Sequence, residues 1–448
     1  MKKWVLRIFT LIISVYSVTS SGNSIDLYVF IHIFIMCINS FSLFSYEDNP
    51  YSLFKVYHIF SLFFFGIAPV LQYYDNTRFL GERVISLDVK YEVSFCLLLL
   101  TFSFNFMYLI FYNFTKKSKK KEIILSKLEY FNLHFKGFNG FFNLLLISLS
   151  FMGFLVFFAS QDFNIYNLLF RGGDLTETIE GEKAFGLIAG KIFRPLTLII
   201  FILSYYYNSK NKILNFILFI IFFVTCFPLG LARNATAAFY LPILLLFARI
   251  FNKRHFFVTT MIAGILLIFP FLNNFRYFDR KSEISFGLNY EMFTDMHFDA
   301  YATFLRIVNM DLVTYGGQLL GVFFFFVPRS VWNSKPISSG QYHADLLGFN
   351  FNNVACTYYA EGYINFGYIG VVLFNISLAY FCAYLDKSFW MYKSRKSYFN
   401  IIYVLILGMF LFALRGDLMS GYSYTFGIIL TAIGAYRFLV RVAKYRFR

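Results

Sequence analysis

The sequence predicts an all-α polytopic integral membrane protein with about 12 transmembrane helices and one large outer loop between the ninth and the tenth. Three observations predict it. The 448 residues are 58% hydrophobic and 14% charged, more apolar surface than a soluble chain of this length can hide. Twelve apolar stretches recur, most of them near the ~20 residues a helix needs to cross a ~30 Å hydrocarbon core. The charges sort to alternate sides of these stretches. With the N-terminus inside, 25 of the 40 Lys and Arg but 5 of the 24 Asp and Glu fall on the cytoplasmic side, which is the positive-inside pattern.

Taken in order, the expected spans are 4–20, 26–45, 53–74, 92–114, 140–159, 187–207, 213–230, 235–250, 256–272, 363–385, 398–414 and 421–439. The first lacks a convincing small-residue cleavage site, so it reads as a span and not as a signal peptide. The eighth is short and is expected to extend past its ends. The basic cytoplasmic loop at 115–139 carries seven lysines, and Lys387, Lys393, Arg395 and Lys396 follow span ten. Both termini are therefore expected in the cytoplasm. The net charge of +16 is accounted for by topology, with no nucleic-acid partner implied. The chain 1–448 reads as a single integral membrane domain, with residues 273–362 as its large periplasmic or extracellular loop. Within that loop the apolar stretch 316–328 is too short to span. It reads as a re-entrant or interfacial segment, or as a buried loop helix. The scattered Cys37, Cys96, Cys226, Cys356 and Cys382 show no metal-ligand spacing and no disulfide framework.

Against this pattern, a few cations sit at the outer ends of spans. Arg233 lies in the tight turn LGLARNATAAF, and Arg276 and Arg280 lie beyond span nine. Arg329 and Lys335 lie in PRSVWNSKP, stiffened by Pro328 and Pro336, and Arg415 opens an Arg-Gly-Asp turn. Lys191 and Arg194 share one helix face near the end of span six. Planar guanidinium groups grip phosphate oxygens two at a time, so such a cluster suits a lipid diphosphate headgroup. For proton transfer the candidates are His343, Asp299 and Glu361, with Asp345 in competition. No P-loop, dinucleotide fingerprint or His-Glu-x-x-His stretch occurs. A nucleotide substrate is not expected, nor is a metal or other cofactor. His32, Lys55 and His58, together with Arg7, are the ionisable residues placed deepest in spans.

The segment FFFFVPRSVWNSKPISSG resembles the Pro-Arg…Lys-Pro segment of Wzy-type O-antigen and capsule repeat-unit polymerases. AEGYINFGYIGVV is similar to that family's Glu-x-x-x-Asn-Phe-Gly-x-x-Gly stretch, and LGLARNATAAF to its small-residue and Arg turn. The resemblance implies a membrane-embedded glycosyltransferase with a GT-C-like fold in the bacterial inner (cytoplasmic) membrane. It would transfer a growing glycan from undecaprenyl diphosphate to an incoming lipid-linked repeat unit at the outer face. By motif match Arg233, Arg329 and Lys335 would hold the diphosphate, and Glu361 would belong to the same site. Arg276, Arg415 and Arg194 join by position alone. His343 is the first choice for the base, with Asp299 and Glu361 behind it. A chain-length regulator and a repeat-unit flippase are the partners the resemblance implies. The competing readings are an O-antigen ligase, a flippase or transporter of lipid-linked oligosaccharide, and a non-catalytic membrane scaffold.

Overall fold

A computed structural model describes residues 26–45, 49–79, 85–115, 140–170, 185–268, 290–349, 354–393 and 398–446. Expected span 4–20, the lysine loop at 116–136, Arg276 and Arg280 lie outside them. The described residues are helical and contain no strand, and nine helices among them are long and apolar enough to cross a membrane. The long ones are α1 (Leu27–Ser45), α2 (Leu53–Tyr74), α3 (Leu87–Phe114), α4 (Gly140–Ala159), α5 (Phe185–Tyr207) and α6, which falls within the span Lys212–Gly230. Two shorter apolar helices follow, α7 (Arg233–Phe247) and α8 (Phe256–Ile268). Then come three short helices in the expected outer loop: α9 (Ala300–Asn309), α10 (Gly317–Phe323) and α11 (Ser339–Leu346). Last are α12 (Tyr358–Tyr392), α13 (Tyr398–Arg415) and α14 (Leu418–Arg446).

Exposed apolar side chains recur at helical spacing, as Phe95, Leu99, Phe102 and Phe106 on α3 and as Ile213, Phe216 and Ile220 on α6. Such stripes belong to helices solvated by lipid on one side and packed on the other. The chain is a polytopic membrane protein.

Two apolar cores share the bundle. One surrounds α2, which is buried from Leu53 to Gln72. The other joins α4, α5, α6, α7, α13 and α14. Helix α13 contributes to both, with Tyr403 and Leu407 to the first and Ile401, Leu405 and Met409 to the second. It meets α7 backbone to backbone. A Cβ on Gly408 would lie 2.9 Å from Ala238 O, so glycine sets the approach.

Helix α2 has no lipid-facing side, and its polar groups are satisfied by neighbours. The buried Asp386 carboxylate accepts Leu53 N at 2.9 Å, Phe54 N at 3.1 Å, Tyr108 Oη at 3.0 Å and Tyr403 Oη at 2.6 Å. It thereby caps the start of α2, where the helix dipole favours negative charge. The Lys55 ammonium donates to the Asn49 carbonyl. His58 Nδ1 meets Asn39 Oδ1 at 2.6 Å, and His32 Nδ1 meets Phe65 O at 2.7 Å. Phe65 lies in a π-helical stretch, Leu62–Ile67, followed at once by Pro69. Proline removes a backbone donor, and the wider turn accommodates the loss.

Span ten departs from its expected form. Inside α12 the backbone breaks at Phe366 (φ −147°, ψ 24°) and Gly367 (φ 61°, ψ −150°). In one straight helix, residues sixteen apart would be about 24 Å from each other. Here Tyr358 Oη donates to Phe374 O at 3.3 Å and Tyr359 Oη to Asn375 Oδ1 at 2.8 Å. Segment 358–365 therefore folds back along 368–392 as a tight helical hairpin. Gly367 supplies the positive φ. Gly362 and Gly370 supply the close approach, since a Cβ on Gly370 would sit 2.0 Å from Gly362 O. The expectation that Glu361 lies just ahead of an uninterrupted span 363–385 is corrected. Glu361 lies on the returning arm, wholly buried beside the span. Tyr359 reaches far enough into the bundle to share a 2.7 Å hydrogen bond with Tyr57 of α2.

The expected outer loop is likewise packed into the bundle. Every residue of α9 from Ala300 to Val308 is buried. The stretch 316–328 forms α10 and a following turn, lying against α14 with Leu320, Phe323 and Phe326 exposed. Gln318, Gly321 and Val322 form the buried face of this short helix.

Candidate functional site at the loop end of the bundle

The expected site residues fall into two groups at the end of the bundle where α9, α10 and α11 gather. The first is a cluster of cations around the start of α14. Lys191 sits in a π-helical stretch, Ala189–Phe193, which ends at Arg194-Pro195, and π-bulges of this kind are frequent at functional sites. Its ammonium donates to Ser423 Oγ at 2.8 Å and lies 4.9 Å from the centre of the Tyr424 ring. Gly427 lets that stretch approach, because a Cβ there would meet Lys191 O at 2.6 Å. Arg194 donates through Nε to Thr225 O at 3.2 Å and lies 4.3 Å from the centre of the Phe157 ring. Its Nη2 is buried with no hydrogen-bond partner.

Lys335 is the charged neighbour that Lys191 feels. Its ammonium caps the turn after α10, donating to Phe325 O at 2.6 Å and Val327 O at 2.9 Å. Arg329 braces the same loop through Nη1 to Lys335 O at 2.7 Å and Nη2 to Pro336 O at 3.3 Å. Burial, and then the Arg329 charge, hold the Lys335 pKa below its ordinary value. Among the described residues, none of Lys191, Arg194, Arg329 and Lys335 pairs with a carboxylate. Lys335 lies near both Lys191 and Arg329, like charges repel, and an anion relieves that repulsion.

The second group is a buried acid centre. Glu361 Oε2 accepts Ser339 Oγ at 2.7 Å, and Oε1 accepts Leu418 N at 2.9 Å. Asp417 Oδ2 accepts Gly340 N at 2.8 Å, and Oδ1 accepts Ser420 N at 3.1 Å. Burial raises the Asp417 pKa, against the pull of these donors. His343 is fully buried on α11. Its Nδ1 lies 3.1 Å from Ser339 O, which fixes the proton on Nδ1. Nε2 is then a bare lone pair, buried and without a partner. Burial, and then the Arg306 charge, push the His343 pKa down to about 4, so the imidazole is neutral at pH 7. Arg306 comes from α9, 4% exposed, with Nη2 on Thr303 Oγ1 at 2.8 Å. Cys356 shares the centre, close in charge to Glu361, Asp417 and Arg306.

Two expected site residues are committed elsewhere. Arg415 Nη2 pairs with Asp299 Oδ1 at 3.0 Å and also donates to Met296 O at 3.0 Å. The pair ties the end of α13 to the start of α9. Arg415 thus braces protein through Nη2, and Asp299 is its counter-ion. Burial raises the Asp299 pKa and Arg415 opposes the rise. Glu361 has a donor on each oxygen, Ser339 Oγ and Leu418 N. For Arg233 the backbone is described, as the first residue of α7, and its side chain lies outside the described atoms.

Sequence reasoning did not single out Arg306, Asp417 or Cys356. Arg306 had a signal, being the lone cation of an amphipathic ten-residue stretch, HFDAYATFLR. Asp417 sat in the same turn as Arg415. Among the described residues no group of His, Cys, Asp and Glu is arranged to hold a metal ion. No protein-family model matches the chain, and no curated protein or solved structure matches it.

Proposed function

We propose that the chain is a membrane glycosyltransferase that polymerises lipid-linked glycan repeat units, taking the growing chain from undecaprenyl diphosphate. The observation that carries this reading is the set Lys191, Lys335 and Arg329, with Arg194 three residues beyond Lys191, at one end of an apolar bundle and, among the described residues, paired with no carboxylate. A polyprenyl diphosphate has the matching chemistry, a doubly anionic head on a long apolar tail. In this reading the loop end is the outer face, in accord with the charge bias of the connecting segments, and the architecture is GT-C-like.

The reaction breaks the bond between the sugar anomeric carbon and the diphosphate oxygen, and forms one to an acceptor hydroxyl oxygen. Negative charge grows on the leaving diphosphate, and prepositioned cations in a partly dry site stabilise it more strongly than water does. The acceptor's proton needs a lone pair to go to. His343 Nε2 is neutral and uncommitted, so it keeps first place as the base, worth about 10²–10⁴-fold in rate. Its burial requires α11 to shift when the acceptor binds. Glu361 and Asp417 position α11 and α14, and Arg415 positions α9.

A second reading, transport of lipid-linked oligosaccharide, draws on the buried Lys55, His58 and His32 and on the broken helix α12, since transporters bind substrate at interrupted helices. Glycan length profiling separates the two. Lys191→Ala and Lys335→Ala, made at normal protein level, are expected to abolish long chains while single repeat units still reach the surface lipid. Normal chain lengths in both variants would remove the diphosphate reading. Repeat units trapped on the cytoplasmic side would favour transport. Lipid-linked polymer accumulating without transfer would favour a ligase.

A further inference from the structure

We infer that Asp417 is the positioning residue that sets the distance between the two lysines of the cation cluster. The inference rests on the proposed anion site at Lys191 and Lys335. Asp417 stands between two helix starts and serves both. On α14, the helix it precedes, it accepts Ser420 N at 3.1 Å and receives a further backbone donor from Met419. On α11, which comes from a different part of the chain, it accepts Gly340 N at 2.8 Å and a side-chain donor from Ser338. Both helix dipoles point their positive ends at this one carboxylate.

The consequence follows from what each helix carries. Lys335 lies three residues ahead of Ser338, on the strand of loop that leads into α11. Lys191 is held by Ser423, three residues beyond Ser420 on α14. The backbone of Lys335 leads into α11 while its ammonium is held on the turn after α10, Lys191 is held on α14, and Asp417 binds the starts of α11 and α14. Gly340 confirms how tightly α11 is seated, since a Cβ there would meet Val354 O at 2.0 Å. No side chain larger than hydrogen leaves room for the Gly340 N–H to reach Asp417. Glu361 runs in parallel, joining Ser339 to Leu418, but it approaches from α12 and touches each start only once. Asp417 bonds to the backbone of both starts, beside the packing of Phe325 against Tyr422 and Phe426 of α14.

The test uses the full chain in lipid nanodiscs with inorganic pyrophosphate as probe, titrated by calorimetry. Asp417→Asn keeps the shape and replaces one acceptor oxygen by a donor nitrogen facing an N–H. It is expected to weaken pyrophosphate binding by about tenfold or more, the equivalent of about 1.4 kcal/mol of lost alignment. Ser338→Ala, which removes one donor to Asp417 together with the N-cap acceptor for Gln341 N, is expected to weaken it by less, since the backbone donors Gly340 N and Ser420 N remain. Asp386→Asn disturbs a comparably buried carboxylate at the opposite end of the bundle and serves as the control for general loosening. A positioning role predicts undiminished binding in that control at matched melting temperature. Equal weakening in Asp386→Asn and Asp417→Asn would overturn the inference, as would wild-type binding in Asp417→Asn. Spin labels at Val331→Cys, on the lysine-bearing loop, and Tyr422→Cys, on α14, give a second measure that needs no ligand. Asp417→Asn is expected to broaden and lengthen that distance, and an unchanged distribution would overturn the inference. Should the wild-type chain fail to bind pyrophosphate, the anion-site reading falls, while the label distance still decides whether Asp417 joins the two elements.

Discussion

Replacing Gly370 by alanine should open the hairpin in α12 and loosen the whole loop end of the molecule. The added Cβ would lie 2.0 Å from Gly362 O, 2.9 Å from Gly362 C and 3.0 Å from Phe366 Cβ. A carbon ordinarily approaches a carbonyl oxygen to about 3.3 Å, so the two arms must separate by more than an ångström. Both atoms that clash at Gly362 are backbone, and no side-chain rotation relieves them. Glu361 immediately precedes Gly362 and moves with it, and its bonds at 2.7 and 2.9 Å to Ser339 and Leu418 have no slack of that size. Overpacking contributes about 1–3 kcal/mol, and a hydrogen bond to an ionised group about 1.5–3 kcal/mol. With one of the two bonds lost, destabilisation of about 4 kcal/mol follows. Fluorescence-detected size-exclusion melts of the detergent-solubilised protein would measure it against Gly434→Ala. Gly434 lies within α14, and a Cβ there meets nothing within 4 Å. That control should melt at or slightly above the wild type, since alanine is the better helix former. If Gly370→Ala melts with Gly434→Ala, segment 358–365 does not fold back as described.

Two further outcomes test other parts of the loop end. Arg415→Ala should destabilise by about 3–5 kcal/mol by stranding the buried Asp299 carboxylate, and Asp299→Asn combined with it should recover much of the loss in the same melts. Arg415→Ala alone matching the wild type in stability while losing pyrophosphate binding would return Arg415 to the ligand side. His343, depressed from 6.5 to about 4 by burial and then by Arg306, binds its proton more weakly folded than unfolded. Its contribution is thus present above about pH 6.5 and lost as pH falls toward 4, by up to about 3 kcal/mol. Hydrogen-exchange protection over residues 338–347, taken relative to the intrinsic amide rate at each pH, should fall across that window in the wild type and not in His343→Gln; equal pH profiles would refute the titration.

The spans were legible because a bilayer reads length and apolarity, both of which are local properties. Leu53–Tyr74, Gly140–Ala159 and Tyr398–Arg415 fall within a residue of their expected limits. Direction was not legible in the same way. The run from Tyr358 to Tyr392 has uninterrupted hydropathy, and its reversal rests on one positive φ at Gly367 and one contact between Gly362 and Gly370. The spacing of three glycines was visible, but its use required knowing which backbone approached which.

The site was legible in its residue types and misleading in its pairings. Arg415 read as a phosphate ligand because its counter-ion, Asp299, stands 116 positions earlier. Glu361 read as a candidate base because nothing local announced that Ser339 and Leu418 would occupy both oxygens. Lys191 and Arg194 read as sharing one helix face, but across the π-helical stretch Lys191 reaches α14 and Arg194 reaches α4 and α6, and the charged neighbour of Lys191, Lys335, comes from another segment altogether. Long-range partners decide whether a cation is a strut or a ligand, and helical periodicity carries no record of them.

The enclosure of α2 bears on how the molecule is made. Its nearest walls include α9, α12 and α13, all synthesised long after it leaves the ribosome. Until they arrive, Lys55 and His58 have only the early helices for shelter. Lys55, in the first turn of α2, reaches back to the Asn49 carbonyl ahead of the span, whereas His58 lies a turn deeper and polar side chains inside a bilayer need a protein partner. A nascent chain cut short before α13 therefore leaves α2, with its buried polar groups, without the late helices that enclose it.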